Sequence, residues 1–329
     1  MGFKVTGLVS DRAKGLVKLG EGCYLDVCPM PDLFHFVQSV NLSSGLQVGK
    51  KLWQAVCALS KASDEALKPQ LEAALAVVRS AHGEYREQIE EINKTVHAFD
   101  QTDAWASGAG VEKGLLRAFS QASKVAGKVG IEIDVDKASK VLSQISPIAQ
   151  GVQAWVEQAQ VQIQQLVASG HLLPQEQGWF VQCALPQMYW EEQVHRTQPK
   201  AKNKNLRAYY KDRAQAAALR MEEQAVPLDL QEDQKANLLL CAQKLARSFQ
   251  RASSQVEGRN GYLSFMNHGC KGIPNKRLEV LTVVHNYDIK RDDGSTPAQR
   301  LFNRDFPDVF EFILQNVTGF KEPKKYKHK

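Results

Sequence analysis

Largely apolar residues spaced alternately four and three positions apart constrain this chain to long, packed helices. One stretch with this spacing covers residues 71–99 and a second covers 141–159. The spacing aligns these side chains along one face of a helix, as in the seam of a coiled coil. Because the two seams have similar lengths, we predict that they fold back on each other as an antiparallel hairpin. The seam residues are Leu71, Leu75, Val78, His82, Tyr85, Ile89, Ile92, Val96 and Phe99, followed by Val141, Ile145, Ile148, Val152, Trp155 and Ala159.

Two departures from the pattern interrupt this helical region. The segment 107–136 contains several glycines and is less regular, which predicts a connector between the two seams. Pro147 falls inside the second seam, where a proline removes a helical hydrogen bond, so we expect a kink or a helix restart there. His82 lies on the first seam, and we interpret it as a core or rim histidine.

The N-terminal part of the chain follows a strand and helix pattern. Residues 3–11 predict a buried strand, 12–19 a helix, and 24–28 a second strand that Pro29 and Pro31 close. Asp32 can cap the helix that follows. Two strands joined by a crossover helix form a parallel pair, and a parallel sheet normally has more than two strands. The pattern therefore predicts a small and incomplete parallel sheet.

The C-terminal part predicts further helices. One begins near residue 230, buries Leu238, Leu239, Leu245 and Phe249, and continues towards Glu257. Others cover 276–287 and 308–317, and between them Thr296, Pro297 and Gln299 form the start signal of a short helix. In the segment around Glu257, Asn260 and Ser264 follow at helical spacing and share its face. These patterns divide the chain into three predicted regions, at 1–54, 55–228 and 229–318, and a basic tail at 319–329.

Composition limits the classes of protein to which the chain can belong. Its 43% hydrophobic content suits a globular fold, and no apolar run approaches the roughly 20 residues of a membrane helix. The start lacks the features of a signal peptide, so we expect a cytoplasmic protein without a membrane partner. The six cysteines are scattered, which indicates reduced thiols. The motifs of common hydrolases and of phosphate-binding glycine loops are missing.

Positive charge is concentrated in one segment of a chain whose net charge is +6. Between residues 196 and 220, eight lysines and arginines stand against the single acid Asp212, and five more lysines follow residue 320. Such clusters suit a phosphate backbone, whereas the alternative interpretation is a solvated linker and a frayed tail.

Five short motifs, in this order, resemble a DDE-type transposase. They are Val-Ser-Asp-Arg-Ala-Lys-Gly-Leu at 9–16, Pro-Asp-Leu-Phe-His at 31–35, Ser-Ser-Gln-Val-Glu-Gly-Arg-Asn at 253–260, His-Asn-Tyr at 285–287 and Asp-Gly-Ser-Thr-Pro-Ala at 293–298. The resemblance spans the chain and is to the group whose ribonuclease-H-like core is split by a helical insertion. It implies a mostly helical fold with a small parallel β remnant, that is, a partial ribonuclease-H-like α/β core interrupted by a long helical insertion.

The resemblance also implies a metal-dependent DNA site. In that family three carboxylates hold two divalent ions, usually Mg²⁺ or Mn²⁺, for cleavage and joining of DNA. Asp11 matches the second acidic position and Glu257 the third, which makes them the expected catalytic and metal-binding residues. Asp32, His35 and Asn260 would support the site. The expected DNA contacts, to transposon ends, are Lys200, Lys202, Lys204, Arg207, Lys211, Arg259 and Lys271, without a small-molecule cofactor.

One departure from the family affects the expected activity. The first aspartate of the family lies on an earlier strand, but only ten residues precede Asp11. Asp26 falls inside the second predicted strand and does not match that position. We therefore expect the C-terminal portion of a transposase, which binds metal weakly, does not cleave DNA alone and associates with the nucleoid when bound to DNA.

Two other classes of protein remain open at this point. The chain could be a non-catalytic DNA-binding or regulatory protein derived from a transposase. It could also be a structural helical protein whose seams at 71–99 and 141–159 serve self-association.

Overall fold

A computed structural model of the chain describes residues 8–10, 29–197, 199–225, 231–251, 273–290, 294–302 and 304–316. The chain divides into two compact units, Met1–Ser253 and Ser254–Lys329, and each is described by itself below. Helices dominate both units, as the sequence predicts. Among the described helices, none is both long and apolar enough to cross a membrane.

Two short parallel strands open the first unit. Strand β1 (Leu8–Ser10) pairs with β2 (Pro29–Pro31), and Ser10 lies opposite Pro31. The strand predicted at 24–28 lies outside the described residues, and the prediction that Pro29 and Pro31 close it is wrong, because both belong to β2. The two prolines stand two positions apart, so the N–H groups that they lack would point to the same side of the strand. An edge strand tolerates this arrangement.

A continuous helical run follows β2. It consists of α1 (Leu33–Val40), a π-helical turn (Asn41–Gly45) and α2 (Leu46–Lys61). Asp32 caps α1 as predicted, since its Oδ1 accepts from the N–H of Phe34 at 2.7 Å. The carbonyl of Val40, at the start of the π turn, accepts hydrogen bonds from Ser43 Oγ at 2.7 Å and Tyr85 Oη at 3.0 Å.

The predicted hairpin of two seams is wrong, because a third helix lies between them. Helix α3 (Lys68–Thr95) packs against α4 (Gly108–Lys128), and α4 packs against α5 (Val135–Ala168). The segment predicted to be an irregular connector therefore contains α4. Its buried face repeats the four-and-three spacing, but partly with alanine, which weakens the apolar signal. That face includes Val111, Leu115, Ala118, Ala122 and Val125.

The second seam is buried as predicted, apart from the half-exposed Trp155. Its helix runs through Pro147 as one element, so the predicted restart does not occur. A proline costs about 3 kcal/mol in a helix interior. Packing of α5 against β2, α1 and α4 offsets this cost. The first seam ends earlier than predicted, because α3 stops at Thr95 and leaves Val96 and Phe99 in the following loop.

Helices from the second half of the first unit pack against one another. They are α6 (Gln177–Trp179), a π turn (Phe180–Ala184), α7 (Leu185–Arg196), a 3₁₀ turn (Ala201–Asn203), α8 (Lys204–Ala225) and α9 (Glu232–Ser248). Leu238, Leu245 and Phe249 are buried as predicted, and Leu239 is partly buried. The predicted continuation of α9 towards Glu257 is wrong, because Phe249 is extended and ends the helix. This turn allows the Phe249 ring to pack against Trp155 and Tyr189.

The second unit contains α10 (Asn275–Tyr287), α11 (Pro297–Phe302) and α12 (Val309–Asn316). The start of α11 confirms the predicted capping box: Gln299 Oε1 accepts from Thr296 N at 2.8 Å, and Thr296 Oγ1 accepts from Gln299 N at 3.2 Å. Asp308 caps α12 through the N–H groups of Phe310 and Glu311. All three helices lie within one or two residues of their predicted bounds.

Candidate functional site

The carboxyl ends of the two parallel strands form the edge at which the first two motifs meet. Ser10 and Pro31 lie opposite each other in the two strands. In the sequence, Asp11 follows Ser10 and Asp32 follows Pro31. Asp32 is fully buried, and one of its oxygens is used to cap α1. Asp11 itself lies outside the described residues. Ligands in sheets of parallel strands bind at this end of the strands, which makes the edge the candidate site.

Arg251 lies beside the same edge. Its carbonyl oxygen accepts a hydrogen bond from the N–H of Leu33 at 2.8 Å. In the sequence, Arg251 is followed by the segment 252–272, which contains Glu257. Glu257, Asn260, Arg259 and Lys271 all fall in that segment, outside the described residues.

The guanidinium of Arg251 fixes this connection to the helical body of the first unit. Its two terminal nitrogens reach acceptors on the last turn of α3, on the loop after it, on α7 and on α8. The side chain also lies over the Tyr210 ring, at 5.8 Å from the ring centroid. Its partners are Asn93 O at 3.0 Å, Val96 O at 3.2 Å, His97 Nε2 at 3.0 Å, Gln193 Oε1 at 3.1 Å and Tyr210 Oη at 3.3 Å.

His97 is the centre of this buried network. Its Nδ1 lies 2.8 Å from Tyr189 Oη, and its Nε2 lies 3.1 Å from Tyr210 Oη. Burial, together with the charges of Arg251 and Arg213, holds the pKa of His97 well below its usual range. The ring is therefore neutral. A guanidinium only donates, so Nε2 is the acceptor towards Arg251 and Nδ1 carries the proton.

The neutral state of His97 predicts acid sensitivity. The unfolded chain protonates this histidine below about pH 6.5, whereas the folded protein does not, so acid favours unfolding. We expect His97 to contribute a stability loss of up to about 1.4 kcal/mol per pH unit, from about pH 6.5 down to its folded-state pKa. Urea unfolding between pH 5 and 8 measures how steeply the free energy of unfolding depends on pH in the wild type and in His97→Gln.

The comparison depends on the slope and not on absolute stability, which the substitution also changes. His82→Gln, on the partly exposed side of α3, is the control for replacing a histidine. An equal dependence of stability on pH in the wild type and in His97→Gln contradicts the assignment of a neutral, buried His97.

A second charged cluster lies beside this network. Asp103, whose side chain is 3% exposed, forms ion pairs with Arg213 and Arg220 of α8. Trp190 Nε1 donates to the same carboxylate at 2.8 Å, and Arg213 also lies over the Trp190 ring. These contacts attach α8 to the loop between α3 and α4.

The predicted basic segment divides into two groups in the structure. Its arginines have partners within the protein. Arg207 Nη1, for example, donates to Val194 O at 2.7 Å and to Thr197 O at 2.6 Å, at the carboxyl end of α7. Lys200, Lys204 and Lys211 are exposed and available to an anion. The side chain of Lys202 is not among those described.

His35 lies one turn after Asp32 on α1. The side chain is partly exposed, and its Nδ1 lies 3.2 Å from Gln38 Oε1. The ring also meets Phe34 edge to face, with the centroids 5.3 Å apart. His35 therefore lies near the strand edge, whereas the exposed lysines belong to the 3₁₀ turn region and to α8.

The fit of this edge to a divalent metal depends on residues beyond the described ranges. Within those ranges, His, Cys, Asp and Glu side chains form no group of three that could hold a metal ion. Asp32, the carboxylate described at the edge, already accepts a backbone N–H. Asp11 and Glu257 have the oxygen donors that Mg²⁺ prefers, so the donor chemistry of the predicted pair fits the ion.

Sequence patterns alone did not identify Arg251 and His97 as parts of the site. Both residues belong to segments that follow the end of a helix, where the spacing of apolar residues does not indicate which side chains are buried. The available signal was a histidine near the end of the predicted seam, between Val96 and Phe99, where a buried polar residue needs partners from elsewhere in the fold.

Comparison with known proteins adds one similarity. Residues 180–329 match a family described as a family of unknown function (DUF6399). The match includes α7 to α12, Arg251 and Glu257, and it leaves out the two strands and helices α1 to α6. Neither the curated proteins nor the solved structures gave a match. The chain is therefore similar, over its C-terminal half, to a family whose description assigns no activity.

Proposed function

We propose that this chain is a DDE-type transposase-like protein that binds DNA but does not cleave it alone. The observation that carries the proposal is a pair of contacts at one strand edge: β1 pairs with β2, and the carbonyl of Arg251 accepts from the N–H of Leu33. In the sequence, β1 leads into the first motif, β2 leads into the second, and Arg251 comes just before the third. Arg251 and Leu33 are far apart in the sequence, so their contact is not a consequence of chain proximity.

The arrangement suits a partial ribonuclease-H-like core. Such a core needs acidic residues at the carboxyl ends of neighbouring parallel strands. Asp11 follows Ser10, the last residue of β1, which lies opposite Pro31 of β2. The third acidic residue enters after a long helical segment, which here consists of α2 to α9. We assign Asp11 and Glu257 as the metal-binding pair, with Asp32 and His35 as supporting residues.

Two hydrogen bonds within the chain stabilise the residues at this edge. Asp32 holds the start of α1 through the N–H of Phe34, and the carbonyl of Arg251 accepts from the N–H of Leu33 in the first turn of the same helix. When bound, a divalent ion would supply Lewis-acid stabilisation of a phosphate group. Two of the family's three acidic positions are matched in this sequence, which supports weak metal binding without cleavage.

The exposed lysines provide a surface for the DNA backbone. Lys200, Lys204 and Lys211 have exposed side chains, whereas the arginines of the same segment hold α7 and α8 in position. Lysine ammonium groups neutralise phosphates without reading base sequence. This division supports binding to the DNA backbone by the lysines and a structural role for the arginines.

Metal binding by the predicted pair is the test of the proposal. We expect the full chain to bind Mn²⁺ weakly, with a Kd on the order of 1 mM, and Asp11→Asn or Glu257→Gln to weaken binding at least about tenfold. Electron paramagnetic resonance of free Mn²⁺ during a titration measures the bound fraction. A nicking assay on supercoiled DNA with Mg²⁺ or Mn²⁺ should yield no nicked product.

Asp212→Asn and Glu223→Gln are the matched controls, because both carboxylates are exposed on α8 and match neither acidic position of the family. Mn²⁺ binding that is undetectable, or that survives both Asp11→Asn and Glu257→Gln, contradicts the assigned pair. Robust nicking that Glu257→Gln abolishes would support the family assignment and contradict the proposed lack of cleavage.

A further inference from the structure

Arg251 joins two parts of the first unit through two different groups. Its guanidinium lies in the network around the buried His97, and its carbonyl oxygen accepts the N–H of Leu33 at 2.8 Å. Leu33 is the first residue of α1, where the N–H groups of a helix have no acceptor within the helix itself. This hydrogen bond therefore ties the start of α1 to a residue at the far end of the first unit, which closes at Ser253.

The position of the Arg251 side chain depends on groups that can accept hydrogen bonds. A guanidinium carries donors only, and its partners here are two backbone carbonyls, an amide oxygen, a tyrosine hydroxyl and His97 Nε2. The oxygen atoms accept throughout the neutral and mildly acidic range. An imidazole nitrogen accepts only while it carries no proton. Among these partners, His97 is therefore the one whose contact with Arg251 depends on pH in that range.

A proton on His97 Nε2 turns this contact from attraction into repulsion. Two donors and two positive charges then face each other at 3.0 Å beside a fully buried ring. The other described groups around the ring do not offset the added charge, because each is cationic, uncharged or already in an ion pair. They are Arg213, Tyr189, Trp190, Tyr210 and, beyond Arg213, the carboxylate of Asp103.

Of the two residues in this contact, Arg251 is the one with access to solvent. His97 is fully buried, and both of its ring nitrogens lie within hydrogen-bond distance of tyrosine hydroxyls. Arg251 is partly exposed and follows the end of α9. When the guanidinium leaves, water takes its place beside Nε2 and solvates the charged ring. The proton is then accommodated by release of Arg251, while the histidine stays in position.

We propose that Arg251 is an acid-sensitive latch: a proton on His97 releases the guanidinium and the bond to Leu33, while the rest of the first unit stays folded. Burial and the charges of Arg251 and Arg213 hold the pKa of His97 well below its usual range in the closed state. Release exposes the ring to water and raises its pKa, so the released state takes up a proton and acid favours it. The latch requires neither metal nor DNA and is independent of the proposed function.

Amide hydrogen exchange of Leu33 tests the latch, because this N–H donates to Arg251 and exchanges when that bond opens. The exchange is measured in the full chain between pH 5 and 7.5 and corrected for its intrinsic dependence on pH. This range lies above the ordinary pKa values of aspartate and glutamate. We expect the opening constant to rise by up to about tenfold per pH unit below about pH 6.5. At every pH it should exceed the opening constant of the Val152 amide, in the buried seam of α5, which reports global unfolding.

Three variants assign the effect to its group. His97→Gln should remove the rise, because the amide oxygen of glutamine accepts from Arg251 but does not titrate. If His97→Gln does not fold, Arg251→Met takes its place: Leu33 should exchange faster at pH 7.5 and lose the dependence on pH. His35→Gln is the control, because His35 is a partly exposed histidine of α1 itself. This variant should keep the dependence of the wild type.

The exchange data can contradict the latch in three ways. An opening constant for Leu33 that does not rise towards pH 5 overturns the proposal. Equal opening constants for Leu33 and Val152 overturn it as well, since Arg251 is then released only by global unfolding. A rise that persists in both His97→Gln and Arg251→Met, or that His35→Gln abolishes, belongs to another group and overturns the role of His97.

Discussion

Replacing Arg251 with methionine is expected to lower the free energy of unfolding by about 3 kcal/mol. Methionine retains much of the volume of the side chain but removes every donor. The carbonyls of Asn93 and Val96, the Nε2 of His97 and the Oε1 of Gln193 then lose a charged partner. Buried acceptors without donors cost about 1–3 kcal/mol each before relaxation. Urea unfolding monitored by circular dichroism measures the loss.

Arg251→Lys separates charge from geometry. Lysine keeps the positive charge but lacks the planar fork that reaches both the α3 loop and α7, so we expect an intermediate loss. Arg247→Met is the matched control, because Arg247 is an exposed arginine of α9 that pairs with Glu192 at the surface. If Arg251→Met is as stable as Arg247→Met, the network around His97 does not hold this part of the fold together.

Replacing Asp103 with asparagine should also destabilise the protein by about 3 kcal/mol. The substitution preserves size and removes the charge that neutralises Arg213 and Arg220. Asparagine accepts the positive φ of 61° found at this position, so the backbone is not the cause of the expected loss. Thermal and urea unfolding of the variant measure the effect, with a smaller loss at high salt because ions screen the two arginines.

Asp136→Asn provides the comparison for removing an acidic charge. Asp136 is exposed in the first turn of α5, where a carboxylate contributes less than about 1 kcal/mol through the helix dipole. A triple variant, Asp103→Asn with Arg213→Met and Arg220→Met, should recover part of the stability, because it removes the uncompensated charges. If the single and triple variants are equally unstable, the loss does not come from unpaired arginines.

Local chemistry made two helix starts and the apolar face of α5 predictable. The cap of α1 by Asp32 and the capping box of Thr296 and Gln299 depend on residues at most three positions apart. The buried face of α5 follows from its own spacing. Such features need no knowledge of distant segments, because the interacting groups are already neighbours in the chain.

Predictions of how helices pair were less successful. The two seams do not face each other, because α4 occupies the space between them. Small residues such as Ala118 and Ala122 let α4 pack closely on both sides, but they contribute little apolar signal. Likewise, the end of α9 at Ser248 depends on a pocket for Phe249 beside Trp155 and Tyr189, which are far away in the sequence.

The sequence by itself determined a mostly helical chain, its capping residues and a segregated basic segment. Only the tertiary structure decided which polar groups are buried together. It joined Arg251 to Leu33 and to His97, and it assigned the arginines of the basic segment to internal contacts. The reason is physical: periodicity and capping act within a few residues, whereas burial and charge pairing depend on which distant segments meet.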